Sequence, residues 1–146
     1  MRLKKYTDYS LRVLVYVGSK EQDHLSSIKE ISQAFDISQN HLSKVVFHLG
    51  KLELIQTVRG RSGGIKLLER PENINLGDVI RKMESDFILI DYGQSGSKEE
   101  ALKPSDQLKY ALEEALQSFF YVLNQYTLKD LLHENEEVNK ILHYEA

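Results

Sequence analysis

Apolar residues recur at helical spacing through most of the chain, and in one stretch they follow the pattern of strands. In residues 7–18, TDYSLRVLVYVG, Tyr9, Val13, Leu14, Tyr16 and Val17 surround most of a helical circumference, which predicts a well-buried helix. Thr7 can cap its start, Asp8 stands four residues before Arg12 on one face, and Gly18 can end it. A polar loop, SKEQDHLS, leads to a second helix. There Ser27 and Glu30 have capping-box spacing, and Ile28, Ile31 and Phe35 form one apolar stripe. Asp36 and Ile37 make a tight break. Ser38 then caps a third helix, QNHLSKVVFHLGKL, with Leu42, Val45, Val46 and Leu49 as its apolar side. Two short helices joined by about three residues form a helix-turn-helix pattern. LIQTV and IKLLE, on either side of the basic turn RGRSGG, read as a β-hairpin. A helix-turn-helix followed directly by such a hairpin is a winged helix.

Pro71 and the NIN segment mark a boundary, after which Asn75 and Asp78 have cap spacing for the helix LGDVIRKMES. FILI is a short apolar run and GQSGSKEE a polar loop. Pro104 opens a long helix to about Gln125, whose broad stripe holds Leu108, Ala111, Leu112, Ala115, Leu116, Phe119, Phe120 and Leu123. Thr127 and Asp130 cap a last short helix, LKDLLHE, before an acidic tail. The expected fold is mainly α with a small β-hairpin wing: a winged helix-turn-helix plus a long C-terminal dimerisation helix. The expected units are a DNA-binding domain over 1–72, a connecting helix and sensor-like loop over 73–103, and a dimerisation helix with a short terminal helix over 104–146.

Composition narrows the chemistry. The 146 residues contain no cysteine, which excludes disulfides, thiolate-bound zinc, cysteine-ligated iron–sulfur clusters and cysteine nucleophiles. No apolar run approaches the roughly 18 residues of a membrane span. The opening MRLKKYTDYS is basic, but the apolar run after it is short and broken by Arg12. No signal peptide and a cytoplasmic location are therefore expected. The net charge of −3 hides an asymmetry: residues 1–70 hold 12 Lys/Arg against 7 Asp/Glu, a net of +5, and residues 71–146 hold 7 against 15, a net of −8. One half is suited to a polyanion and the other is not.

The candidate DNA-contacting residues follow from these placements. On the third helix, Asn40, Lys44, Phe47 and Lys51 fall opposite the apolar stripe, with Ser38, Gln39, His41 and Ser43 near its first turn. Recognition helices place N-terminal residues at base edges, where Asn and Gln suit adenine and Lys suits guanine or phosphate. In the wing, Arg59, Arg61 and Ser62 lie among glycines that permit a close approach to phosphate, and Lys66 extends the positive edge. The expected partner is double-stranded DNA bearing a palindromic operator. Leu108, Leu112, Ala115, Leu116, Phe119 and Leu123 are the expected seam of a homodimer. The five histidines show no metal-ligand spacing, and no catalytic constellation occurs; neither enzyme activity nor a metal or cofactor is expected. A winged-helix adaptor that binds protein rather than reading DNA is the competing class.

The strings YTDYSLRVL, IKEIS with SQNHLSKVV, VRGRSGGIKL, NINLGDVIRKMESDF and YTLKDLL resemble the Rrf family of bacterial winged-helix regulators, nearest its nitric-oxide-sensing branch. The resemblance implies a homodimer whose long helices cross, with recognition helix and wing on promoter DNA. It also implies an iron–sulfur cluster held by three cysteines with seven and then five residues between them. The equivalent positions here are Tyr92, Glu100 and Asp106, and Asp8 matches an acidic residue that completes the cluster in some members. Oxygen side chains are hard ligands that suit such a cluster poorly. The resemblance therefore implies a dimeric repressor without a cluster, binding constitutively or answering an unknown signal, such as a small molecule, through residues 87–106.

Overall fold

Helix α1 (Lys5–Gly18) packs against both helices of the helix-turn-helix, the second strand of the wing and the helix that follows the wing. Val13 and Leu14 are fully buried and Val17 almost so, as the wraparound apolar pattern predicts. The helix starts two residues before the predicted Thr7 cap. Thr7 lies within the first turn, completely buried, and its Oγ1 donates to Glu84 Oε1 at 2.8 Å. The Lys4 N–H donates to the same oxygen at 2.6 Å. A carboxylate 80 positions away in sequence thus does the work that a local cap would do, satisfying an orphan donor at the positive end of the helix dipole.

The computed structural model describes residues 2–84 and 106–132. After α1 come α2 (Ile28–Phe35), α3 (Gln39–Lys51), β1 (Ile55–Val58), β2 (Gly64–Leu67), a 3-10 turn (Pro71–Asn73), α4 (Leu76–Met83) and α5 (Asp106–Leu123). A helical turn over 128–132 closes the described chain. This is the mainly helical fold with one antiparallel hairpin that the sequence predicts. The FILI run, the GQSGSKEE loop, Pro104 and the acidic tail lie outside the described residues.

The helix-turn-helix is built from its caps. Ser27 Oγ accepts from the Glu30 N–H at 3.1 Å, and Ser38 Oγ from the His41 N–H at 3.2 Å. Between them Asp36 adopts a left-handed conformation, φ 52°, which Asp tolerates better than most residues. Ile37 plugs the turn into the core at 6% exposure. Leu42, Val45, Val46 and Leu49 are all buried. The end of α3 is a Schellman motif: the Glu53 N–H bonds to Gly50 O at 3.0 Å and the Leu54 N–H to Leu49 O at 3.1 Å. Leu49 and Leu54 are both buried beneath it, the apolar contact that accompanies this motif. The left-handed position, φ 58°, is occupied by Glu53 rather than glycine.

The wing pairs Ile55 with Leu67 and Val58 with Gly64, and Ile55 and Ile65 point into the core. Ser26 adds a short third edge, exchanging bonds of 3.0 and 2.8 Å with Ile65. At the tip, Gly60 has φ 111°, a conformation costly for any side chain. A Cβ on Gly63 would overlap the Val58 carbonyl oxygen. Gly63 is therefore required by the hairpin's own backbone, before any ligand is considered.

One core runs from α1 through the helix-turn-helix and wing to Ile74, Val79 and Met83, and includes Leu128, which is completely buried. Leu128 reaches this core because the chain after α5 folds back on the start of α4. The Leu76 N–H bonds to Tyr126 O at 3.0 Å, the Leu128 N–H to Ile74 O at 2.9 Å, and Asn75 Nδ2 to Asn124 O at 2.8 Å. Asn75 also caps α4, accepting from the Asp78 N–H at 3.1 Å.

Glu53→Gly removes the left-handed strain at the end of α3. It is expected to raise the unfolding free energy by about 1 kcal/mol, read from the midpoint of a urea titration. An unchanged or lowered midpoint would show that Glu53 makes compensating interactions.

Candidate nucleic-acid interface

Two exposed elements gather most of the predicted contact residues. On α3, Gln39, Asn40, His41, Ser43 and Lys44 are all solvent-exposed. Ser43 Oγ donates to Gln39 O at 2.8 Å, which leaves its lone pairs as acceptors. Ser38 is exposed too, but its oxygen is engaged as the helix cap. At the wing tip Arg59, Arg61 and Ser62 are exposed. No carboxylate pairs with Lys44, Lys51, Arg59 or Arg61 among the described residues. Unpaired cations on a helix face and a hairpin tip form a surface suited to phosphate.

Lys66 stands apart from that group. Its ammonium lies 3.6 Å from Asp23 Oδ1. It lines a cleft of about 510 Å³ between the end of α1 and the segment leaving the wing, with Lys20, His24 and Arg70.

The angle of α3 is set by a contact that sequence reasoning missed. Tyr6, on the first turn of α1, donates its hydroxyl to Lys44 O at 3.1 Å, while His48 Nδ1 lies 3.0 Å from the same phenolic oxygen. A hydroxyl has one proton, so His48 Nδ1–H is the donor in the second bond. The two rings stack at 5.5 Å, and Tyr9 lies against His41 with centroids 6.2 Å apart. Partial burial raises the Tyr6 phenol above its ordinary pKa of 10.0. Nothing local marks this pair, because Tyr6 and His48 are 42 residues apart. Phe47 was placed on the outward face by its spacing but not among the contact residues; it is 65% exposed.

Of the residues equivalent to the cluster ligands, only Asp8 and Asp106 are described. Asp8 pairs with Arg12 at 2.9 Å, as their spacing predicts, and the Arg12 guanidinium sits 5.8 Å from the Phe35 ring. Asp106 is exposed at the start of α5, and Tyr92 and Glu100 lie outside the described residues. No group of three metal-ligating side chains occurs among the described residues. With no thiolate anywhere in the chain, the donor set does not fit an iron–sulfur cluster.

On α5, Phe120 alone is buried, turned toward α4 with the Arg81 guanidinium 4.2 Å from its ring. Leu112, Leu116, Phe119 and Leu123 are half-buried, Ala115 is exposed, and Leu108 is 46% exposed. Four of the six predicted seam residues thus lie on the half-buried side of the helix, and Leu108 and Ala115 are exposed.

The family profile described as "Rrf2: Iron-dependent Transcriptional regulator" matches residues 3–134. The chain belongs to the Rrf2 family. It is similar to the HTH-type transcriptional regulator NsrR of Oceanobacillus iheyensis, with 48% identity over 94% of each chain. It is similar to NsrR of Bacillus subtilis too, with 44% identity over 97% of each. Among solved structures it is similar to the oxidised form of Staphylococcus aureus CymR, with TM-score 0.72 and 27% identity over 90% of this chain and 96% of that one. T. potens IscR gives TM-score 0.74 and 25% identity over 94% and 90%. As a member of the Rrf2 family the chain is a DNA-binding transcriptional regulator. It carries the family's winged helix without a single cysteine. Among the described residues of this Rrf2 protein, no helix is long and apolar enough to cross a membrane.

Tyr6→Phe tests the contact that sets α3. Loss of the hydroxyl is expected to cost about 1 kcal/mol at neutral pH. The raised phenol pKa gives a stability contribution present below pH 10 and lost as pH rises through the folded value. Urea titrations should therefore show the wild type declining more steeply than Tyr6→Phe above about pH 10. Parallel declines would remove Tyr6 from the account.

Proposed function

We propose that the chain is a homodimeric repressor that reads a palindromic operator without an iron–sulfur cluster. The observation that carries this reading is the face formed by α3 and the wing tip. Polar side chains suited to base edges and cations without carboxylate partners stand there on a helix locked to α1 through Tyr6 and His48. Gln39, Asn40, His41, Ser43 and Lys44 take the major groove, with Ser38 closing the helix start against the backbone. Arg59, Arg61 and Ser62 hold phosphate or the adjacent minor groove. Lys66, being paired with Asp23, contributes general positive potential rather than a direct contact.

Dimerisation through Leu108, Leu112, Ala115, Leu116, Phe119 and Leu123 is supported by the exposure of α5, which in the single chain buries one side chain fully. Two recognition helices then address two half-sites on one face of the duplex. Control of binding lies outside the cluster chemistry of the relatives, because the chain lacks the sulfur ligands. Residues 87–106 remain the proposed site of any replacement signal.

The test is a mobility-shift titration at physiological salt, comparing duplexes selected by the protein from a random pool with unselected duplexes. Preference of about a thousandfold or more is expected; equal affinity would overturn specific reading. Arg61→Ala should weaken both duplexes and lower the log–log salt slope by about 1. Asn40→Ala should cost about 1–3 kcal/mol on the selected duplex alone. An iron chelator should leave every affinity unchanged, and loss of binding on chelation would sink the cluster-free reading.

A further inference from the structure

Phe47 stands at the centre of the outward face of α3, and the polar readout of DNA gives it no task. It is 65% exposed, the one large apolar side chain that α3 presents to solvent. At about 100° per residue it lies within roughly 20° of Asn40 and 40° of Ser43 and Lys51 around the helix axis. It follows Asn40 by about 10 Å along that axis, so it stands on the same face two turns beyond the helix start. Its ring is held in place: the Lys51 ammonium sits 4.6 Å from the centroid, within cation–π range. Beside it Gly50 has nothing within 4 Å of where a Cβ would stand, so the protein's own packing does not demand the glycine there. A smooth backbone next to a braced ring allows close approach by an outside surface.

We propose that Phe47 reads a thymine methyl group in the major groove. This assignment rests on the proposed DNA-reading face and names a further base contact for it. The chemistry restricts the choice. Phenylalanine has no hydrogen-bond donor or acceptor, so it gains nothing from phosphate or from the polar base edges. The C5 methyl of thymine is the apolar group that the major groove displays. Lys51, with its ammonium over the ring, lies where the neighbouring phosphate passes and holds the ring edge toward the base.

The experiment uses the full-length protein and a duplex selected by the wild type from a random pool. Each thymine is replaced singly by deoxyuridine, which removes the methyl and leaves base pairing intact. One thymine in each half-site should lose about fourfold in affinity on replacement, the factor for one buried methyl-sized group. Phe47→Ala should bind the unmodified selected duplex about fourfold or more weakly and show no further loss at that position. Its affinity for unselected duplex should be unchanged. Because the side chain is exposed, its thermal melt should match the wild type, which separates recognition from folding. The assignment is overturned if no thymine methyl matters to the wild type, or if Phe47→Ala keeps the full deoxyuridine penalty. It is overturned as well if Phe47→Ala binds DNA like the wild type, an outcome that gives the residue to a protein partner. Wild-type protein that fails to prefer selected over unselected duplex would sink the underlying DNA reading, a different result from intact preference with no methyl-sensitive position.

Discussion

A helix buried on most of its circumference must bring its neighbours into register on several sides at once. α1 is that helix. Its Val13 and Leu14 leave no surface to water, so α2, α3, β2 and α4 are each located by what they present to it. Such packing leaves α1's own N-terminus short of a partner, since Lys4 offers no side-chain cap. Glu84 supplies one from the end of α4, at 7% exposure, with the Lys4 N–H and the Thr7 hydroxyl on a single oxygen. A carboxylate so placed is costly to bury unless it is hydrogen-bonded. These two bonds and the Lys4 ammonium, 3.9 Å from Oε2, offset that cost, and they tie the last described residue before the 85–105 segment to the first turn of the central helix.

From that frame follows the orientation of α3. The Tyr6 hydroxyl reaches the backbone of α3 at Lys44, and His48 returns a bond from the same helix. α3 is therefore held by its main chain as well as by its apolar side. The exposed side chains of α3 can therefore vary without releasing it. The winged helix is likewise complete in a chain without cysteine, so its packing owes nothing to a thiolate-bound group.

Most of the fold was legible because its signals are local. Ser27, Ser38 and Asn75 cap the helices their spacing assigned to them, and the apolar stripe of α3 is buried at every position. Illegible features depend on residues far apart. The start of α1 belongs to Glu84 rather than Thr7, and no window of sequence contains both ends of that contact. The pairing of Lys66 with Asp23 was equally hidden, since strand alternation gives the face of a side chain but not the loop opposite it. The wing glycines suggest room for phosphate, whereas at Gly63 the Val58 carbonyl already occupies the space a side chain would need. Of the candidate surface, the exposed polar and basic residue types of α3 and the wing tip were legible. The tyrosine–histidine lock behind them was not.

The corner at 124–128 has a geometric consequence. Tyr126 and Leu128 pair with Leu76 and Ile74 through backbone bonds, and the Asn124 side chain lies directly against Gly77, so the end of α5 is clamped to α4. The clamp works as a protractor. It fixes the bearing at which α5 departs from the reading head, and in the proposed dimer that bearing is doubled by the two-fold axis into the separation of two reading heads. A small change at this corner, far from any nucleotide, would be felt as a change in the number of base pairs the protein can span.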